Sequence, residues 1–169
     1  MEIFTQPKIR NQEPLMKLLT ALVFTSLSVT AFAQEGWRTL FNGKDLTGWK
    51  ANAFPDSWAV VDGALRANAT KESSHLFYVG ERQEGMESFK DFELELEARS
   101  EPNSNGGIFI HTDFATRDAA LHLAKGYEIQ LNSSAKEKRK TGSLYAVVDL
   151  AASPVDESQW FKVRVTVRG

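Results

Sequence analysis

Two short runs carry the clearest alternation in this chain. Ile108-Phe109-Ile110 follows Gly106-Gly107, and Tyr127 to Leu131 follows Gly126. Successive side chains of a strand point to opposite faces. The period therefore predicts Ile108, Ile110, Tyr127, Ile129 and Leu131 on a buried face, with His111, Glu128 and Gln130 on the other. A sheet that buries one face and spaces polar groups along the other makes a floor for a polar ligand. Two longer runs also alternate. Residues 92–97 read Phe-Glu-Leu-Glu-Leu-Glu, and residues 161–167 set Phe161, Val163, Val165 and Val167 against Lys162, Arg164 and Thr166. Residues 58–61 and 64–67 flank Asp62-Gly63, the pattern of a hairpin with a two-residue turn. Shorter strands are expected over 37–41, 75–79 and 143–148. Helical signals are thin: 116–125 offers a turn or two within a loop, and 135–140 reads as a solvated charged loop. Many short strands with this alternation predict a β-sandwich or jelly roll.

Composition adds a targeting expectation. Met16-Lys17 precedes an uncharged apolar run, 18–32, closed by Ala31-Phe32-Ala33. A basic start, an apolar middle and small residues before the cut predict a signal peptide over 1–33, cleaved after Ala33, with 1–15 as an extended start. The run is shorter than the ~20 residues that span a bilayer, so a membrane anchor is the weaker reading. The expected product is a periplasmic or secreted domain over 34–169, with no membrane association after cleavage. The chain of 169 residues has no cysteine, so its stability must come from a core, for which four Trp and 11 Phe are available. A formal net charge of −2 argues against nucleic acid or an anionic membrane surface as partner.

Several motifs occur in a fixed order: Leu40-Phe41-Asn42-Gly43-Lys44-Asp45-Leu46-Thr47-Gly48-Trp49, Trp58 with Asp62-Gly63, Asp91-Phe92-Glu93-Leu94 with Glu97, Ser104-Asn105-Gly106-Gly107-Ile108, Gly126-Tyr127-Glu128-Ile129-Gln130, Thr141-Gly142-Ser143-Leu144-Tyr145, and Trp160. In this the sequence resembles the 3-keto-disaccharide hydrolase domain family, over nearly all of residues 36–169. The resemblance implies an all-β, concanavalin A-like jelly-roll sandwich. Members of that family continue with a further hairpin and a last pair of strands, so the resemblance also implies a fold incomplete at its C-terminal end. Members often carry Arg at the position of His111.

The implied activity is cleavage of the glycosidic bond of a carbohydrate whose sugar bears a ketone at C3. The ketone acidifies the C2 hydrogen. A base removes it, the group at C1 leaves, and water then adds. This route needs a base, a hydrogen-bonding or positive group at the enolate oxygen, and an acid for the leaving oxygen. Glu128 is the first candidate for the base, or for a metal ligand. His111 could polarise the ketone or shuttle a proton, and Tyr145 could act as an acid or a stacking platform. Gln130 and Glu97 are candidates for substrate binding. If Glu97 neighbours Glu128 and His111, the three could hold a divalent metal ion. The row Glu128, Gln130, Asn132 carries one acid only, so that strand cannot supply the two carboxylates of an ordinary glycosidase. Trp49 and Trp58 read as core residues. A non-catalytic glycan-binding module or an inactive remnant of the same fold are the alternatives.

Overall fold

The computed structural model describes residues 2–12, 36–69, 73–80 and 86–169. The apolar run 18–32 and the boundary at Ala33 lie outside these residues. Ten strands form almost all of the regular structure: β1 (Glu2–Asn11), β2 (Arg38–Thr39), β3 (Trp49–Ala51), β4 (Trp58–Val61), β5 (Ala64–Ala67), β6 (Leu76–Tyr78), β7 (Phe92–Ser100), β8 (Asn105–Ile110), β9 (Tyr127–Asn132) and β10 (Phe161–Thr166). The only helical element among the described residues is one 3-10 turn, Pro55–Ser57. Every pairing is antiparallel. This is the all-β sandwich that the alternation predicts.

One layer is a sheet in the order β10-β7-β1-β5-β4, with β2 also paired to β1. β7 pairs with β10 along one edge and with β1 along the other. Its strict alternation explains this central place. Phe92, Leu94, Leu96 and Ala98 turn inward, and Ala98 is 1% exposed. Glu93, Glu95 and Arg99 take the opposite face. There Glu93 accepts from Arg10 and Gln12, and Glu95 pairs with Lys8 and Arg164. β10 follows the same rule, with Phe161, Val163, Val165 and Val167 all directed to the core. Its hydrophobic periodicity therefore locates the strand and its buried face.

The second layer holds β8 paired with β9 and β3 paired with β6. Leu131 and Ile108 meet Leu96, Ala98, Phe161 and Val163 between the layers. Trp49, Tyr78 and Ile110 close the same interior around Ile9, Leu40 and Phe92. Trp49 donates its indole N–H to Leu40 O at 2.8 Å, and Trp58 donates to Ser74 Oγ at 2.7 Å, so both sit in packed, polar-satisfied settings.

Turns follow their residues. β4 and β5 are joined by Asp62-Gly63 with φ of 51° and 75°, the two left-handed residues of a type I′ turn. Asn42 Oδ1 accepts the N–H groups of Lys44 and Asp45, and Asp45 accepts from the Asn42 side chain and from Thr47 N–H. Those hydrogen bonds, led by the one from Asn42, hold the Asp45 carboxyl down to about 2.

One strand expectation changes, and two other segments take definite form. Residues 143–148 form a turn whose Leu144 bridges Ile129 and Val148, without a named strand. Residues 116–125 form a loop closed by a Thr116–Leu123 bridge. Residues 2–11, read from the sequence as part of an extended start, form the long strand β1 inside the larger sheet.

Candidate functional site

The outer face of the second layer carries Phe109, Glu128, Gln130 and Asn132, because β8 and β9 pair Phe109 with Glu128, Gly107 with Gln130 and Asn105 with Asn132. Phe109 packs with Phe77, Val79, Leu123 and Phe114, which covers one end of the face. His75 stands edge-on to Phe109 at 5.4 Å between ring centroids. Leu123 and Phe114 of the 111–126 segment pack into the same cluster as Phe109, and residues 142–145 are bonded along β9.

Three residues of one row have three fates. Asn132 is fully buried. Its amide donates to Glu137 O at 2.9 Å and Arg139 O at 2.7 Å and accepts from Ser134 N–H at 2.8 Å, so it folds the 133–140 loop onto the sheet. Gln130 is 1% exposed and donates to Asn105 Oδ1 at 2.8 Å. The sequence expectation set Gln130 on an open face; the structure buries it, with its amide on Asn105 and its backbone bonded to Gly142 and Ser143. Glu128 is half-buried. Its side chain lies over Gly107, where an added Cβ would stand 2.7 Å from Glu128 Cγ and 2.8 Å from its Oε1. A glycine is required there because the Glu128 side chain and the Ile129 carbonyl oxygen, also 2.7 Å away, occupy the place of a side chain.

Burial pushes the Glu128 carboxyl up to about 7. The negative charge of Glu137 adds to the rise, and His122 opposes it. Glu137 itself is held below the ordinary carboxylate range, first by the Arg139 backbone N–H and then by the Arg139 charge and the Tyr145 hydroxyl. Two carboxyls that influence each other are thus driven apart, one protonated near neutrality and one ionised. Tyr145 donates its N–H to Glu128 O at 2.9 Å and its hydroxyl to Glu137 Oε2 at 3.3 Å. The Arg139 guanidinium lies 4.4 Å over the Tyr145 ring and pairs with Asp149 at 3.0 Å. His122 is hydrogen-bonded through Nδ1 to Asp118 at 2.8 Å.

The structure therefore brings Glu128 and Tyr145 together. His111 goes elsewhere. It follows the end of β8 in a left-handed conformation (φ 55°), and its ring stands 6.1 Å from that of Tyr127. Tyr127, expected inside, is 49% exposed because it begins its strand beyond the core. Glu97 pairs in register with Lys162 and Thr5, and it alternates with Leu96 and Ala98, which pack against Leu131. It thus sits on the outer face of the other layer and does not meet Glu128. Among the described residues no three His, Asp or Glu side chains are grouped as a metal ion would need. None of the described helices is long and apolar enough to cross a membrane.

Sequence reasoning missed His75, His122, Glu137 and Arg139. The last two fall in what reads as a solvated loop. The one available signal was Asn132, a buried amide at the loop's foot.

A model of the 3-keto-alpha-glucoside-1,2-lyase-like domain matches residues 36–169. A 3-keto-disaccharide hydrolase of Bacteroides thetaiotaomicron is 32% identical over 103 residues, 55% of this chain and 33% of that protein. The match thus spans about a third of the relative's length. No solved structure matches the chain.

Proposed function

The chain belongs to the 3-keto-alpha-glucoside-1,2-lyase-like domain family, and from that membership we propose that it cleaves the glycosidic bond of 3-keto-glycosides, with Glu128 as the base. A carboxyl that titrates at about 7 is matched to proton transfer at neutral pH, because it can take a proton and return it. That observation carries the reading.

In the proposed route, ionised Glu128 removes the C2 proton beside the ketone. The electron pair moves to the C3 oxygen as an enolate. The pair then returns, the C1–O bond breaks, and the leaving oxygen takes a proton. Water adds across C1 and C2 to complete a hydrolysis. In this reading Tyr145 gives that proton, its hydroxyl turning from Glu137, to which it is bonded at 3.3 Å, to the leaving oxygen. Arg139, stacked on that ring, supplies positive charge beside it. On this proposal the acid absent from the Glu128 strand comes from the neighbouring loop. A carbohydrate substrate and export directed by the apolar run 18–32 belong to the same proposal.

The test is turnover of a 3-keto-disaccharide by wild type and Glu128→Gln. Replacing a general base is expected to cost about 10²–10⁴-fold in kcat. Unchanged turnover would remove Glu128 from the mechanism. Binding of the sugar without turnover by the wild type would favour a glycan-binding module.

A further inference from the structure

Gln130 has a feature that packing leaves unexplained. Its side-chain oxygen is buried and has no hydrogen-bond partner, in a residue only 1% exposed. A buried carbonyl without a donor is destabilising, so a donor is expected nearby in the working protein. The amide nitrogen is committed to Asn105 Oδ1, which directs the oxygen away from Asn105.

Strand geometry says what Gln130 faces. Gly107 is the direct cross-strand partner of Gln130. Gln130 spends its backbone N–H on Ser143 O and its C=O on Gly142 N–H, both at 2.9 Å on the other side of β9. It therefore faces Gly107 as a non-hydrogen-bonded pair, the closer of the two antiparallel spacings. The space over Gly107 is the space that the Glu128 carboxyl fills. The carboxyl and the orphaned carbonyl belong to side chains two residues apart on the same strand face, with no side chain on Gly107 to separate them.

An ionised carboxylate cannot satisfy Gln130, since both groups only accept. A protonated carboxyl can. We propose that Gln130 is a positioning residue: its side-chain oxygen accepts the hydrogen that Glu128 carries in its acid form, within the hollow left by Gly107. Gln130 then acts on the base and not on the sugar. A bond made only by the acid form stabilises that form and adds to the effect of burial. It also fixes which carboxyl oxygen is left to face the substrate. The other groups that bear on Glu128 are His122 from the 111–126 segment and Glu137 from the 133–150 segment, the latter tied to Tyr145 and Arg139.

The proposal rests on Glu128 as the base, and its test separates the two. The Glu128 carboxyl is titrated by 13C NMR in wild type and Gln130→Met, a readout that needs no turnover, and the kcat/KM profile for a 3-keto-disaccharide is recorded beside it. Loss of the acceptor is expected to lower the Glu128 midpoint by about one pH unit and to shift the acid limb equally, with KM unchanged. If the midpoint moves while Glu128→Gln retains full turnover, the pairing stands and the catalytic reading falls. An unmoved midpoint, or a raised KM with the acid limb in place, would overturn the pairing in favour of direct sugar binding. If Gln130→Met does not fold, Asn105→Ser at the exposed end of the strand frees the amide to turn. It is expected to lower the midpoint in the same direction by less, and no change there would overturn the proposal too.

Discussion

A raised carboxyl is a stability cost as well as a chemical asset. Glu128 titrates at about 7 in the folded chain and near 4.5 when unfolded. Between those values the folded state binds more protons, so stability falls as pH rises through this window and stays reduced above it. Glu128→Gln removes the penalty while keeping the shape. Its melting temperature is expected to exceed that of wild type at pH 8, by an amount equivalent to about 1–2 kcal/mol, and to match it at pH 4.5. Thermal denaturation at the two pH values checks this; equal curves at pH 8 would mean that the carboxyl is not strained by burial. At this scale the sequence was half legible. The period of β9 sets Glu128, Gln130 and Asn132 on one face, and they share one. It does not tell which of the three sees solvent, because segments outside the strand decide that: 133–140 bonds to Asn132 and 142–145 runs along β9 at Gln130 and Glu128, and such packing leaves no periodic trace. His111 shows the other limit: its backbone turns left-handed just past β8, and alternation ends where the strand does.

Elements were read best where one face is buried without interruption. β7, β10 and the β4–β5 hairpin appear where the pattern puts them, since a one-residue slip would turn a whole hydrophobic row to water. The hairpin also has turn chemistry that admits few alternatives. Gly63 lies at φ 75° with its nearest foreign atom, Gly43 O, 3.9 Å from an added Cβ. Crowding is therefore minor, and Gly63→Ala should cost only the left-handed backbone term, about 1 kcal/mol in urea unfolding. A cost several times larger would show that the turn also serves contacts beyond itself. The expectation of a strand over 143–148 failed for a local reason. Ala146 is left-handed at φ 58°, and Val147 and Val148 project into solvent at 59% and 62% exposure, so the run bends back on itself. Tyr145 comes beside Glu128 before that bend, through the bonds that 142–145 make along β9, of which Tyr145 N–H to Glu128 O at 2.9 Å is the last.

At the scale of the molecule, the unforeseen feature is β1. It lies between β7 on one side and β5 and β2 on the other, buries Ile9 to 4%, and sets Lys8 and Arg10 against Glu95 and Glu93. Its sequence alternates weakly and is broken by Pro7 beside a register shift, so nothing in the pattern marks it as a sheet member. Deleting residues 1–12 is expected to lower the melting temperature by well over 5 °C, since a buried core residue and two strand interfaces go together. A truncated chain with wild-type melting would show that the sheet closes without it. The candidate site is on the other layer, so loss of β1 should affect turnover through folding and not through chemistry.

The position of β1 also bears on maturation. A protease cutting after Ala33 would separate this strand from the polypeptide that it helps to hold together. The scission product would then carry an unzipped seam flanked by β5 and β7, with bare amides and carbonyls able to recruit another extended peptide. If such a cut occurs, its timing relative to folding would therefore decide whether β1 keeps its place in the sheet.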